Sequence, residues 1–169
     1  MDVSLLPYRP CVGVMAINRD GNVWVGRRAQ ARFHNEGRGN WWQMPQGGID
    51  EGEDPAHAAL RELREETGMD SVEILAQSPR WYTYDLPREL VGKAWGGRYR
   101  GQTQVWFALR FTGDDSEIDI APRDGAEAEF DDWKWMPIGA LTELIVPFKR
   151  EVYAQIVQAF AHLARPLRG

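Results

Sequence analysis

Apolar positions dominate first from Cys11 to Ile17, a β-rich run with small residues interspersed. Asn18-Arg19-Asp20-Gly21 is a strong turn signal, and Asn22 to Arg28 then alternates Val23 and Val25 against Trp24 and Gly26. The two runs predict a β-hairpin. Ala29 to Asn40 loses all periodicity: it is polar, carries Gly37 and Gly39, and holds Arg32, His34 and Arg38 with Arg28 at its edge. That composition predicts a mobile loop. Trp42-Gln43-Met44-Pro45-Gln46-Gly47-Gly48 predicts a tight glycine turn. From Asp54 the apolar period becomes helical. Asp54 suits an N-cap, and Pro55 takes the first helical position, where its missing N–H costs nothing. Ala56, Ala59, Leu60 and Leu63 form the buried stripe, and Gly68 supplies the stop.

Val72 to Gln77 and Trp81 to Leu86 return to strand patterning, with Pro87 closing the second. Glu89 to Arg100 is a Gly-rich, basic connection. Gln104 to Thr112 is a clear strand, with Val105, Phe107, Leu109 and Phe111 set against Trp106, Ala108 and Arg110. Ser116 to Arg123 predicts a short extended piece before a loop. Phe130 to Pro137 predicts a strand with Trp133 and Trp135 at strand spacing, and Ile138 to Leu144 a short helix. Lys149 to Leu163 predicts a longer helix whose stripe is Val152, Tyr153, Ile156, Val157, Phe160 and Leu163. Ala164 to Gly169 reads as a frayed tail. Strands dominate the middle, with one helix among them and another at the end. The order predicts an α/β fold, a mixed sheet with helices on both faces.

Composition narrows the class. At 169 residues the chain suits one domain, read here as 1–169 with its core at about residues 8–163. Met1 to Pro10 contains Asp2 and Arg9 and lacks a long apolar run, so no signal peptide is predicted. No later stretch is apolar enough to span a bilayer. Cys11 is the only cysteine, which excludes an intrachain disulfide and a thiolate metal cluster and makes a cytoplasmic setting the default. The net charge of −5 argues against a protein that coats nucleic-acid backbones, a DNA duplex included. It leaves room for recognition of one end of a nucleic acid, because part of the acidity is concentrated between Trp42 and Met69.

Within that stretch Glu62, Glu65 and Glu66 fall at i, i+3 and i+4, on one helical face. Like charges so placed destabilise a helix by a few tenths of a kcal/mol per pair. Two readings follow: a solvated acidic face, or carboxylates used together to hold a divalent cation. His34, His57 and His162 are isolated, and His57 reads as a surface residue. Cys11 reads as an inert core thiol. Of the eight tryptophans, Trp106, Trp133 and Trp135 read as packing residues, and Trp41, Trp42 and Trp81 as candidates for a rim.

Gly47, five positions, Glu53, seven positions, then Arg61-Glu62-Leu63-Arg64-Glu65-Glu66-Thr67-Gly68-Met69 resembles the Nudix box at every defined position. The resemblance implies the Nudix fold, an α/β/α sandwich, and hydrolysis of a nucleoside diphosphate linked to another group. It implies Mg²⁺ as cofactor, with Mn²⁺ or Zn²⁺ able to substitute. Glu62, Glu65 and Glu66 match the family's metal-binding glutamates, and a carbonyl at Gly47 can add a ligand. Glu53 and Arg61 match the pair that orients those glutamates.

The likeness extends through Tyr8-Arg9-Pro10, Tyr84-Asp85-Leu86-Pro87, Gly101-Gln102-Thr103-Gln104, Glu129-Phe130-Asp131 and Phe148-Lys149-Arg150. These are similar to the bacterial RNA pyrophosphohydrolase subfamily, which also contains dinucleoside polyphosphate hydrolases. The resemblance implies one of two substrates. One is the 5′-triphosphate end of RNA, cut in the course of mRNA decay; the other is a dinucleoside polyphosphate such as diadenosine tetraphosphate. A non-catalytic nucleotide-binding module is the reading from another class, and the intact box speaks against it. Glu129 matches a further carboxylate that binds metal or acts as general base. The matched catalytic set is Glu53, Arg61, Glu65 and Glu129. Arg9 and Arg28 match phosphate-binding arginines. Tyr84, Gln102, Phe148 and Lys149 match positions lining the nucleotide site; Phe148 reads equally as a core anchor. Val105 stands where the subfamily usually has lysine in its Gln-x-Gln-Lys-Trp-Phe run, which removes a charge.

Overall fold

The hairpin forms, but only at its base. In the computed structural model, which describes residues 2–29, 41–122 and 128–167, strands β1 (Tyr8–Ile17) and β2 (Val23–Arg28) meet through Ile17 and Val23. Asn18 Oδ1 closes the turn by accepting from the N–H groups of Asp20 (3.0 Å) and Asn22 (2.9 Å). Beyond the turn the strands part. β1 pairs antiparallel with β4 (Gln46–Gly48) on one side and parallel with β7 (Gly101–Phe111) on the other. β2 lies between β3 (Trp42–Gln43) and β8 (Phe130–Met136), both antiparallel to it. β5 (Val72–Gln77) and β6 (Tyr82–Asp85) follow one another along the far side of β7. All eight strands belong to one mixed sheet.

The period-2 alternation of β1 and β7 sends side chains to opposite layers. Val12, Val14 and Ala16 join Val105, Phe107 and Leu109 on the face covered by helix α1 (Pro55–Thr67). Met15 and Ile17 join Trp106 and Ala108 on the other face. Helices α2 (Leu141–Leu144) and α3 (Arg150–Phe160) cover that face with Leu141, Val152, Tyr153 and Ile156. The result is the α/β/α sandwich implied by the resemblance. Leu63 of α1 is wholly buried, a burial worth about 2 kcal/mol. Trp106 is also wholly buried, as is Trp24, which sits between Phe130 and Trp133.

Several expectations need correction. Trp42 to Gly48 is not a tight turn. Gly47 and Gly48 are extended and lie in β4, because β1 offers a partner: Val14 N–H donates to the Pro45 carbonyl at 2.9 Å. The left-handed glycine comes later, at Gly52 (φ 78°). The buried stripe of α1 is Ala58, Ala59, Leu63 and Thr67, with Ala56 and Leu60 only half-buried. Asp54 occupies the N-cap without a capping side-chain bond; Pro55 and Gly68 (φ 77°) bound the helix as read. Ser116 to Arg123 forms no strand among its described residues. A 3₁₀ turn at Asp115–Glu117 replaces it, started by Asp114, whose carboxylate accepts from Ser116 N–H at 2.8 Å. The tail is tied down at Leu167, whose N–H donates to the Arg19 carbonyl at 2.8 Å. Residues 30–40, including Arg32, His34 and Arg38, lie outside the described residues, as do Arg123 and residues 168–169.

Candidate active site

One guanidinium ties α1 to the strand before it. Arg61 Nε donates to Glu53 Oε2 at 2.8 Å and Nη2 to Glu53 Oε1 at 2.9 Å, a planar fork on a carboxylate. Nη2 also donates to the Gly48 carbonyl at 3.0 Å. Nη1 donates to Glu62 Oε1 at 2.9 Å and to Glu65 Oε2 at 3.2 Å. These bonds fix strand, loop and helix as one unit. Glu53 accepts in addition from Asp50 N–H at 3.0 Å. Arg61 above all, with that N–H, holds the Glu53 carboxyl far below the usual carboxylate range. His57 is exposed and lies 2.9 Å from Glu53 through Nδ1.

Beside this brace lies a cavity of about 290 Å³. Its floor is the extended Gly47-Gly48 pair. A Cβ at Gly47 would fall inside the Glu62 carboxylate, and one at Gly48 would meet Arg9 Nη2. The two glycines thus let an anion and a cation lie directly on backbone. Glu62, Glu66, Glu129 and Arg28 line the cavity on one side, and Arg9, Gln46 and Gln102 line it too. Ala29 N–H donates to the Glu129 carbonyl at 3.0 Å, and an irregularity in register between Arg27 and Arg28 sets the end of β2 here. Arg28 Nη1 donates to Gln43 Oε1 at 3.2 Å, while its Nε stands 3.8 Å from Glu129 Oε1.

Negative charge is crowded on this wall. Burial pushes the Glu62 carboxyl up against the pull of Arg61, and Glu65 and Glu129 add to the rise. Burial, then Glu129 and Glu62, push Glu66 well above its ordinary value. Glu66 Oε2 is buried without a hydrogen-bond partner. Three hard carboxylate donors crowded together, one oxygen of Glu66 orphaned, fit a divalent cation. Among the described residues no three acidic, imidazole or thiol groups already form a closed metal cage. A cation completed by water and phosphate oxygens needs none.

The helix does not present its three glutamates alike. Glu65 is 56% exposed, bonded to Arg61 and absent from the cavity lining. Tyr84 lines the cavity, and its ring packs on Phe148 with centroids 5.8 Å apart. Phe148 itself borders a neighbouring cavity of about 360 Å³ with Tyr8, Asp85 and Glu151. Lys149 is buried behind these rings, its Nζ 5.9 Å from the Tyr84 centroid and 5.8 Å from that of Phe148. Val105 is packed in the α1 layer and does not line the cavity. Sequence reasoning missed Trp95 and the part played by the Gln46 side chain. Trp95 lines the cavity with a left-handed backbone (φ 51°, ψ 39°), and the Arg9 guanidinium lies 5.6 Å from its ring. Such a conformation costs a bulky residue on the order of 1–3 kcal/mol and collects at functional sites. Only the glycines around it, in a stretch without periodicity, hinted at it.

This sandwich with its braced acidic helix is that of a Nudix protein, and the chain belongs to the Nudix family: the NUDIX domain pattern matches residues 7–156. An RNA pyrophosphohydrolase of Mesorhizobium japonicum is 59% identical over 167 residues, 98% of this chain and 96% of that protein. One of Brucella ovis is 59% identical over 166 residues, 97% of this chain and 93% of its own. Among solved structures, the E. coli dihydroneopterin triphosphate pyrophosphohydrolase matches with TM-score 0.63 at 22% identity, covering 90% of this chain and 98% of that one. A C. elegans Ap4A hydrolase matches with TM-score 0.60 at 16% identity, covering 91% and 98%. At those identities the likeness to the two structures is one of fold.

Proposed function

We propose that this chain removes pyrophosphate from the 5′-triphosphate end of RNA, with Mg²⁺ as cofactor. The observation that carries the reading is the cavity itself: half-buried carboxylates and two arginines around one glycine floor, a layout that suits a cation–polyphosphate pair. The 59% identity to proteins named RNA pyrophosphohydrolase supports an RNA end as the substrate. A single-domain reading is supported by the one sheet that draws its strands from Tyr8 to Met136.

Glu62, Glu66 and Glu129 would hold the cation, with the Gly47 carbonyl able to add a ligand. When bound, Mg²⁺ neutralises phosphate oxygens and polarises the attacked phosphorus. Arg9 and Arg28 take phosphate oxygens through their planar forks and stabilise charge that spreads there in the transition state. Glu129 borders the cavity and takes the proton of the attacking water. The water oxygen bonds to phosphorus, the anhydride bond between the α and β phosphates breaks, and pyrophosphate leaves. Glu53 and Arg61 hold Glu62 in line. Glu65, outside the cavity, steadies Arg61. Tyr84, with Phe148 behind it and Lys149 buried below, walls the nucleotide side, and Gln102, beside Arg9, donates where the nucleotide meets its phosphates.

The test is a side-by-side kcat/KM on 5′-triphosphorylated RNA and diadenosine tetraphosphate with Mg²⁺. RNA is expected to win; a tenfold preference for the dinucleotide overturns the substrate. No turnover of any polyphosphate with Mg²⁺ or Mn²⁺ would make the chain a binding module. Glu129→Gln is expected to keep the fold and lower kcat about 10²-fold or more.

A further inference from the structure

Trp106, Gln104 and Gln102 alternate along β7 and share the face that carries the cavity. Trp106 is held fast. It is fully buried, and the Tyr153 ring packs edge-on against it at 5.8 Å. Gly13 stands opposite in register, and a Cβ there would overlap the indole. An indole N–H can only donate. Trp106 Nε1 donates to Gln104 Oε1 at 2.9 Å, so chemistry decides which end of that amide faces it. The Gln104 NH₂ must point the other way. It donates to Gln102 Oε1 at 2.6 Å and to Gln46 Oε1 at 3.3 Å. Both outer amides are then oriented in turn. Their oxygens are engaged by Gln104, which turns their NH₂ groups away from it. Gln102 and Gln46 line the cavity, and Arg9 is the register partner of Gln102.

We propose that Gln104 is a positioning residue: through Gln102 and Gln46 it makes the phosphate side of the cavity a surface of hydrogen-bond donors. A free glutamine offers oxygen or nitrogen equally well, because half a turn of the amide exchanges them. Toward a phosphate the oxygen repels and the NH₂ attracts. The relay removes the wrong half of that choice before a ligand arrives. If Gln102 turned over, its NH₂ would face the Gln104 NH₂ at 2.6 Å, two donors with no acceptor between them. The assignment rests on the reading that a polyphosphate occupies this cavity.

Calorimetry separates the two ideas. The probe is a nucleoside triphosphate with a methylene bridge between its α and β phosphates, titrated with Mg²⁺ into the wild type and the Gln104→Met, Trp106→Phe and Gln102→Met variants. Gln104→Met and Trp106→Phe are each expected to weaken binding about three- to tenfold. KM on RNA should rise to match while kcat stays within about twofold, the pattern of lost uniform binding. The Gln104→Met/Gln102→Met double variant should lose less than the product of the single losses. An unchanged dissociation constant in Gln104→Met overturns the relay, as do fully multiplicative losses or a wild type that does not bind the probe. If the wild type binds it and Gln104→Met weakens it, yet RNA is not cut, the relay stands and the RNA reading falls.

Discussion

Arg61 meets four acceptor groups from three parts of the chain: Glu53 in the loop, Gly48 in β4, and Glu62 and Glu65 on its own helix. Lysine could not replace it, because one ammonium cannot make the fork on Glu53 and reach the Gly48 carbonyl together. Arg61→Lys and Glu53→Gln are each expected to weaken Mg²⁺ binding about 10- to 100-fold. Activity titrated against Mg²⁺ reads this, and saturating Mg²⁺ should restore much of the rate in Glu53→Gln. Cys11 carries a different signature. Burial pushes its thiol up to about 11, with Arg9 pulling the other way. An unfolded thiol ionises near about 8.5. The folded chain keeps the proton longer, so this group's contribution to stability is full below about 8.5 and is lost as pH rises toward about 11. Urea midpoints of the wild type and Cys11→Ala should therefore converge in favour of the variant above about pH 9. A gap that does not move with pH refutes it.

Elements differ in how far the sequence announces them. The sequence pattern predicts β5 with its observed bounds, Val72 to Gln77, because six residues between turn signals leave little choice. The pattern predicts β7 from Gln104, and the strand runs three residues further back, to Gly101, since β1 and β6 pair with it there. The pattern predicts neither β3 nor β4. Strands of two and three residues have no measurable period; their backbone is extended because β1 and β2 supply partners from elsewhere. That error concerned shape and not chemistry, and it has a testable side. Gly47 is needed for the carboxylate that lies on it, not for a turn. Gly47→Ala is expected to leave far-UV circular dichroism unchanged and to displace Glu62, lowering kcat about 10²-fold, the cost of a misplacement near 1 Å. A variant that loses its secondary structure instead would restore the turn.

At the scale of the whole molecule the site divides by origin. Glu53, Arg61, Glu62 and Glu66 are legible because one helix and its preceding loop carry them all. Trp95 and the side-chain roles of Gln46 and Gln104 are not, since what joins them to the site is sheet register and a loop without a period. That register has a consequence for how the protein is made. The ten residues of β1 lie in parallel against β7, Tyr8 beside Gly101 and Ile17 beside Arg110. Contacts so distant in sequence form late, because the loop between them must close first. A ribosome finishes β1 and α1 long before it finishes β7. Until then the apolar β1 has no central partner, and the completed helix has no full layer to rest on. A nascent chain stalled at residue 100 should therefore be cut by protease throughout, while one released past residue 167 resists. Competence for catalysis would arrive in one step, late in synthesis.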